Sequence, residues 1–459
     1  MRSLALAIVL ALAVAVPAAS AANSRSLLWS RVDGPTKAGT QLGLLRSGGV
    51  QHVVWAQGSP AVISDTELNG DGRSLKTVPI ASNFDGIGGM SLVGMADGSV
   101  RLFVAGGTRP GLPSSLSGIN SFVAPPGADG WTLDPTALWG GAVASAADEI
   151  GATVSGGNPI TAYSAGFVHV GLGSSTGNDP TYQPDCCGVA PQLATDGSSG
   201  AVVMSWLSNG HQSGTYVKQV YPSQGALVSL PSSMTVGSSG IASRLGAPGT
   251  FVAYTGLTNQ AIKLYRYGGP TRTIVRGPYR IAKVFAGPAG RLWMLWGDAN
   301  SGVWATRSNK AATKWEPVQK LALPGNTTAF YNAQGEGSGG PLDAFVDLLI
   351  GTNDRGFWRT HVLARDSLSE STSYQSGGKG RTAKLAFRAT DAGDPLTGAI
   401  IVVARGSTVL ARLKTDRGGR AAMSLLLGNL RGGSGGRSLK ATVTASGYAV
   451  QTISVGLAG

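Results

Sequence analysis

The chain is poor in the residues that build helical bundles, disulfide scaffolds and metal clusters. Of 459 residues only two are cysteine and four are histidine. Charged residues make up 13% of the chain, with 24 acidic against 37 basic side chains. A disulfide framework is excluded by the cysteine count. The four histidines, His52, His169, His211 and His361, show no paired ligand spacing, and two of them lie in apolar strands, so core or edge roles are expected for them. Low charge argues against disorder and against exposed helices laced with ion pairs. After the first residues no apolar run of about 18 residues recurs, and the expectation is no transmembrane segment.

Glycine, by contrast, is abundant at 69 residues, together with ten tryptophans, a balance that suits a turn-rich all-β chain. Met1 to Ala21 carries one positive charge at Arg2, an apolar stretch from Leu4 to Val16 and the small-residue signature Ala19-Ser20-Ala21. Residues 1–21 therefore read as a secretory signal peptide, and the expected location is secreted or extracellular, with cell-wall association open.

A short apolar strand announced by a Gly- or Pro-rich turn recurs at intervals near fifty residues. The instances are Val50 to Trp55, Val100 to Val104, Phe167 to Val170, Ala201 to Trp206, Phe251 to Tyr254, Leu292 to Trp296 and Phe345 to Leu348. A four-stranded sheet cannot cover both of its faces alone, so such units must stack. The expected fold is an all-β propeller of six or seven blades over residues 22–366. Gly302 to Ser308 and Gly214 to Pro222 read as the next antiparallel strands, and Ser26 to Val32 as a strand that closes the ring. The long interval before Phe167 implies either an insertion near Thr136 to Glu149, with a short helix, or a misplaced third unit. Residues 367–380, rich in Ser and Gly, read as a linker, and residues 381–459 as a small β-sandwich.

Ser308 to Trp315 resembles the Asp box of the sialidase and BNR-repeat superfamily, with Ser308 and Trp315 at the right separation and Lys310 and Ala312 at the Asp and Gly positions. Pro126 to Trp131 resembles it more distantly. The likeness implies a sialidase-like propeller. Sialidases of that family hold a carboxylate with three arginines and use a Tyr–Glu nucleophile pair and an Asp acid. Tyr279-Arg280-Ile281-Ala282 imitates the first arginine element, with Arg280 read as a blade-edge residue. Pro395 to Ala399, Thr415 to Ala421 and Thr442 to Tyr448 are similar to bacterial Ig-like repeats, which implies a spacer or adhesive module.

Two local features carry chemistry. Asp65-Thr66-Glu67-Leu68-Asn69-Gly70 places oxygen side chains at alternate positions, so Asp65, Glu67 and Asn69 form a calcium candidate, with Lys76 at the closing position and a bare turn as the alternative. Cys186-Cys187, beside Asp185, reads as a vicinal disulfide, with a structural staple, free thiols and a ligand platform or redox role all open. Calcium is the single cofactor the sequence suggests.

Residues 371–459 hold twelve Lys and Arg against three Asp, a balance of +9 that leaves +4 of the formal +13 for residues 1–370. A solvated face or an anionic wall polymer explains that basicity, and nothing marks nucleic acid as a specific partner. The leading expectation is a secreted sialidase-like propeller that binds extracellular glycan or a surface polymer. Catalysis is left open and judged secondary to binding. The alternatives are an exo-glycosidase with a central Arg and carboxylate cluster, and a structural surface protein attached by its basic module.

Overall fold

The computed structural model describes residues 29–32 and 41–457, apart from 59, 85–86, 106–117, 135–138, 141–148, 166, 173–186, 211–212, 231–232, 234–238, 258–260, 299–301, 378–379 and 431–437. Nearly all of it is antiparallel sheet.

The first strand, β1 (Ser30–Arg31), belongs to the last blade. Blade 1 is β2 (Gly43–Ser47), β3 (Val50–Gln57), β4 (Ala61–Leu68) and β5 (Ser74–Phe84). Blade 2 is β6 (Gly89–Gly94), β7 (Val100–Ala105) and β8 (Gly118–Ala124), with β9 (Thr132–Leu133) and β10 (Trp139–Gly140) both pairing with β8. Blade 3 is β11 (Glu149–Ser155), β12 (Asn158–Ala165) and β13 (Phe167–Leu172). Blade 4 is β14 (Gly188–Thr195), β15 (Val202–Ser208), β16 (Gly214–Tyr221) and β17 (Val228–Ser229). Blade 5 is β18 (Gly240–Ser243), β19 (Thr250–Gly256), β20 (Ala261–Arg266) and β21 (Thr271–Arg276). Blade 6 is β22 (Ile281–Ala286), β23 (Leu292–Asp298), β24 (Gly302–Arg307) and β25 (Gln319–Leu321). Blade 7 is β26 (Thr327–Glu336), β27 (Leu342–Ile350) and β28 (Asp354–Val362), completed by β1 through Ser30↔Arg359 and Arg31↔Trp358.

The first strands of the blades form a closed ring, β2 against β6, then β11, β14, β18, β22 and β26, and β26 against β2 again. The described residues thus form a propeller of seven blades. The reason lies in the second strands, which are apolar on both faces. Alternate residues serve opposite neighbours: Val54 packs between blades 1 and 2 and Val53 between blades 1 and 7, while Met204 and Trp206 face blade 3 and Val203 faces blade 5. Seven such cores, one at each blade junction, replace a single central core.

The turn that leads into each second strand carries a glycine at positive φ: Gly48 and Gly49, Gly98, Gly156 and Gly157, Gly200, Gly249, Gly290 and Gly340. These are the turns that make the repeat visible in the sequence, because only glycine adopts that backbone freely. Six of the seven expected core strands are second strands of blades. The seventh, Phe167 to Val170, is β13, the third strand of blade 3, and its second strand is β12, entered from Gly156-Gly157. The misplaced unit is thereby located. Of the insertion near Thr136 to Glu149, residues 135–138 and 141–148 lie outside the described residues. Trp139–Gly140 pairs with β8, and Glu149 begins β11.

The linker expected over residues 367–380 gives way to strand in the described part of that stretch. Ser367–Gly377 is β29, paired along its length with β30 (Gly380–Asp391). The alternation that looks low in complexity turns Leu368 and Tyr374 toward a core while the serines face outward. With β31 (Asp394–Pro395), β32 (Ile400–Arg405), β33 (Thr408–Lys414), β34 (Arg420–Leu426), β35 (Ser438–Thr444) and β36 (Gln451–Gly456), these strands make two sheets, β29-β30-β31 with β34 beside β30, and β33-β32-β35-β36. Leu385 and Phe387 of one sheet and Ile401, Val443 and Val455 of the other share one core, which defines a sandwich.

Candidate functional site

The first strands line an axial channel whose width is set by glycine. A Cβ on Gly240 would lie 2.8 Å from the Val284 nitrogen, and one on Gly151 would lie 2.7 Å from the Pro191 carbonyl oxygen. Larger residues at these positions would push neighbouring blades apart.

Two cavities follow one another along the axis. The inner one, about 170 Å³, is bounded by all seven first strands or the residues leading into them, among them Gln41, Ser91, Gln192, Lys283, Phe285 and Gln334. That is roughly ten times the room one water needs. The second, about 360 Å³, opens beside the turns after the first strands and shares Leu193, Ile241 and Phe285 with the inner one.

Polar side chains of the inner cavity staple adjacent blades. Gln192 Nε2 donates to Ser239 O at 3.2 Å, and its Oε1 accepts from Ile241 N at 3.3 Å. Gln334 accepts from Leu42 N at 2.8 Å and donates to Leu42 O at 2.9 Å, across the seam between the last blade and the first. Arg46 reinforces that seam, reaching Glu336 at 2.7 Å and the buried Asp343 at 3.0 Å. Ser91 Oγ accepts from Ala152 N at 3.0 Å. An amide has two N–H donors and two carbonyl lone pairs. Gln192 and Gln334 each use one of each on backbone, leaving one N–H and one lone pair apiece at the cavity wall.

Lys283 is 4% exposed and donates to Ser239 O at 2.8 Å. Burial pushes its ammonium down to about 7, with Glu149 opposing the shift. Glu149 itself accepts from Ala190 N. In the outer cavity, Arg244 gives its N–H groups to the carbonyls of Gly290, Pro248 and Lys310, and Glu336 is held by Arg46 and Ser338. Glu336 is the one carboxylate among the described residues lining either cavity.

The positions expected from sequence fall elsewhere. Asp65 and Glu67 lie in β4, while Asn69 is a turn cap whose Oδ1 accepts from Asp71 N and Arg73 N at 3.0 and 2.8 Å. No single loop carries the three: strand geometry brings Asp65 and Glu67 together with His52, while Asn69 stands apart in the turn. Asp185 and Cys186 lie outside the described residues; Cys187 is half-buried with its thiol free. His169 is buried and stacks on Tyr163 at 5.3 Å, His361 meets Asp343 at 3.0 Å, and His211 lies outside the described residues. Arg280 is exposed at the edge of blade 6, as expected.

The Ser308 to Trp315 turn lies between β24 and β25. Ser308 bridges to Trp315, Asn309 Oδ1 accepts from Thr313 N and Lys314 N, and Ala312 takes φ +55°, the conformation a glycine would adopt freely. Asn309 thus does the capping, one position before Lys310.

No protein-family model matches this chain, and no curated protein matches it. Solved structures similar to it include the polysaccharide lyase Uly1, at 9% identity and a TM-score of 0.46 over 75% of this chain and 94% of that one. A PL25 ulvan lyase is similar at 11% identity and 0.43, covering 72% and 94%. The six-bladed propeller lectin of Aleuria aurantia, for which a fucose recognition mode is described, is similar at 11% identity and 0.38, covering 76% and 96%. Likenesses this remote carry no argument about chemistry, and the propeller assignment stands on the closed ring of sheets.

Proposed function

We propose that the protein is an exported propeller that holds a sugar unit of an extracellular polysaccharide in the axial cavities, as a binding protein. The observation that carries this reading is the unspent hydrogen-bonding capacity of Gln192, Gln334 and Lys283 at the cavity wall. Inter-blade bonds already fix these groups, so little side-chain entropy is lost on meeting hydroxyls. Phe285 offers an apolar surface beside them, the usual make-up of a small-ligand site. Glycoside hydrolysis by the common route needs two carboxylates about 5–10 Å apart, and a sialidase needs free arginines. Glu336 stands alone on the described lining and Arg244 is spent on carbonyls, which favours binding over a sialidase-type reaction.

The test is calorimetric titration of the mature chain with a panel of soluble neutral and acidic polysaccharides. Gln192→Ala is expected to weaken binding about fivefold, the worth of roughly 1 kcal/mol for one hydrogen bond. An acidic saccharide is expected to bind more tightly as pH falls through about 7, where Lys283 gains its charge. Binding that ignores both variant and pH removes the axial site from the account.

A second reading is favoured by the sandwich. Arg388 of β30 stands directly opposite Arg420 of β34, both exposed, with Lys384 on the same face among outward serines and threonines. Like charges opposed across strands destabilise a sheet unless an anion lies between them. We read this Ig-like module as an attachment surface for an anionic wall polymer. Full-length Arg388→Ser/Arg420→Ser is expected to lose salt-sensitive binding to isolated cell wall; undiminished wall binding would remove this role.

A further inference from the structure

On the outer part of blade 1, facing blade 2, β3 and β4 bring together groups that neither the channel nor the sandwich uses. His52 stands opposite Glu67 in the antiparallel register, and Asp65 lies two residues along β4 on the same face. One ligand atom from each of the three falls within 4.8 Å of the others. His52 Nδ1 is 2.8 Å from Asp65 Oδ2, which also accepts from Trp131 Nε1 of blade 2 at 3.3 Å. The other carboxylate oxygen, Asp65 Oδ1, is buried without a hydrogen-bond partner, on a side chain that is fully buried. Burying an anionic oxygen unsatisfied is costly, so its place beside an imidazole and a second carboxylate suits a cation.

We propose that His52, Asp65 and Glu67 bind a divalent first-row transition ion, zinc or manganese. A nitrogen ligand with two carboxylates suits these ions, whereas calcium takes oxygen ligands throughout. Trp131 orients the Asp65 carboxylate through its N–H, as supporting residues around metal ligands do. Lys76 Nζ, 3.3 Å from Glu67 Oε1 and from Asp129 Oδ1, is the competing cation. Its side chain is 36% exposed and leaves Glu67 for solvent and Asp129 when an ion enters. The ion ties together the β3–β4 hairpin at the junction with blade 2.

The test uses the tag-free full chain with Cys186→Ser and Cys187→Ser, so that thiols take no metal. Chelator-stripped protein is titrated with zinc, manganese and calcium chlorides against a chromophoric competitor, and melting is followed in parallel. The expected result is one zinc or manganese ion per chain with a raised melting temperature, at least tenfold weaker binding in His52→Gln and Glu67→Gln, and tighter binding in Lys76→Met. Lys76→Met removes only a half-exposed side chain and so keeps the question answerable if a ligand variant fails to fold. Absence of binding in both the parent and Lys76→Met, equal affinity in His52→Gln, or preference for calcium would each overturn the proposal.

Discussion

Arg307→Met is expected to destabilise the protein by about 3–5 kcal/mol and to separate the unfolding of the sandwich from that of the propeller. Arg307 ends β24 of blade 6 and is buried, with Nε 3.2 Å from Glu316 and Nη2 3.0 Å from Asp391 of the sandwich. Its guanidinium also lies 4.9 Å from the Tyr448 ring centre. Asp391 is shared further with Arg291 at 2.8 Å and the Tyr448 hydroxyl at 2.6 Å, and Glu316 accepts from Arg365 N at 2.9 Å. Burial raises the Asp391 carboxyl, but Arg307, the hydrogen bonds from Glu316 and Tyr448, and Arg291 together outweigh it and hold the group below the ordinary range; Glu316 stays raised, since burial there outweighs Arg307. Removing the guanidinium leaves two carboxylates buried side by side. Calorimetry reads the effect as a lower first transition and a second, separate one. A single transition at the parent temperature would show that the two bodies are held by their apolar contacts alone, such as Tyr448 against both cores.

Asp366→Asn is expected to make the protein more stable at pH 8, by about 1–3 kcal/mol, because the amide fills the same space without a charge to bury. Asp366 sits where the chain passes from blade 7 to the sandwich; it is 3% exposed, and neither carboxylate oxygen has a partner. Burial pushes its carboxyl up to about 7, with the charge of Asp391 adding to the shift. A raised acid binds more protons folded than unfolded between its ordinary value, 3.8, and about 7. Its contribution to stability is therefore complete below the ordinary value and is lost as pH rises through about 7. Glu316 acts in the same direction, so part of the slope survives in the variant. Asp343 and Asp391, both held low, lose their contributions only in stronger acid. Urea midpoints at pH 5 and pH 8 check this. Equal pH dependence in parent and Asp366→Asn would place the pH sensitivity elsewhere.

The parts of the fold that were legible in sequence are those encoded locally. Glycines at positive φ before apolar strands marked six blades correctly, and the closing strand near Trp29 was readable because a ring of blades needs a strand from one terminus, which Ser30 and Arg31 supply. Blade 3 was misread because Phe167 to Val170 is as apolar as a second strand, while β12 begins with Asn158-Pro159. The polar strand β29 passed for a linker, since its partner is chosen by the core on one face and not by its own composition. The axial glutamines and Lys283 had no linear signal at all, as Gln192 and Lys283 bond to Ser239 at separations of 47 and 44 residues and Gln334 bonds to Leu42 at a separation of 292. His52 and Glu67 face each other only through register.

The most direct measurement for the axial-site account is calorimetric titration of the mature chain with soluble polysaccharides, repeated on Gln192→Ala. The account predicts saturable one-site binding that weakens about fivefold in the variant while the melting profile keeps its form. No binding across the panel, or binding of equal strength in Gln192→Ala, would contradict it.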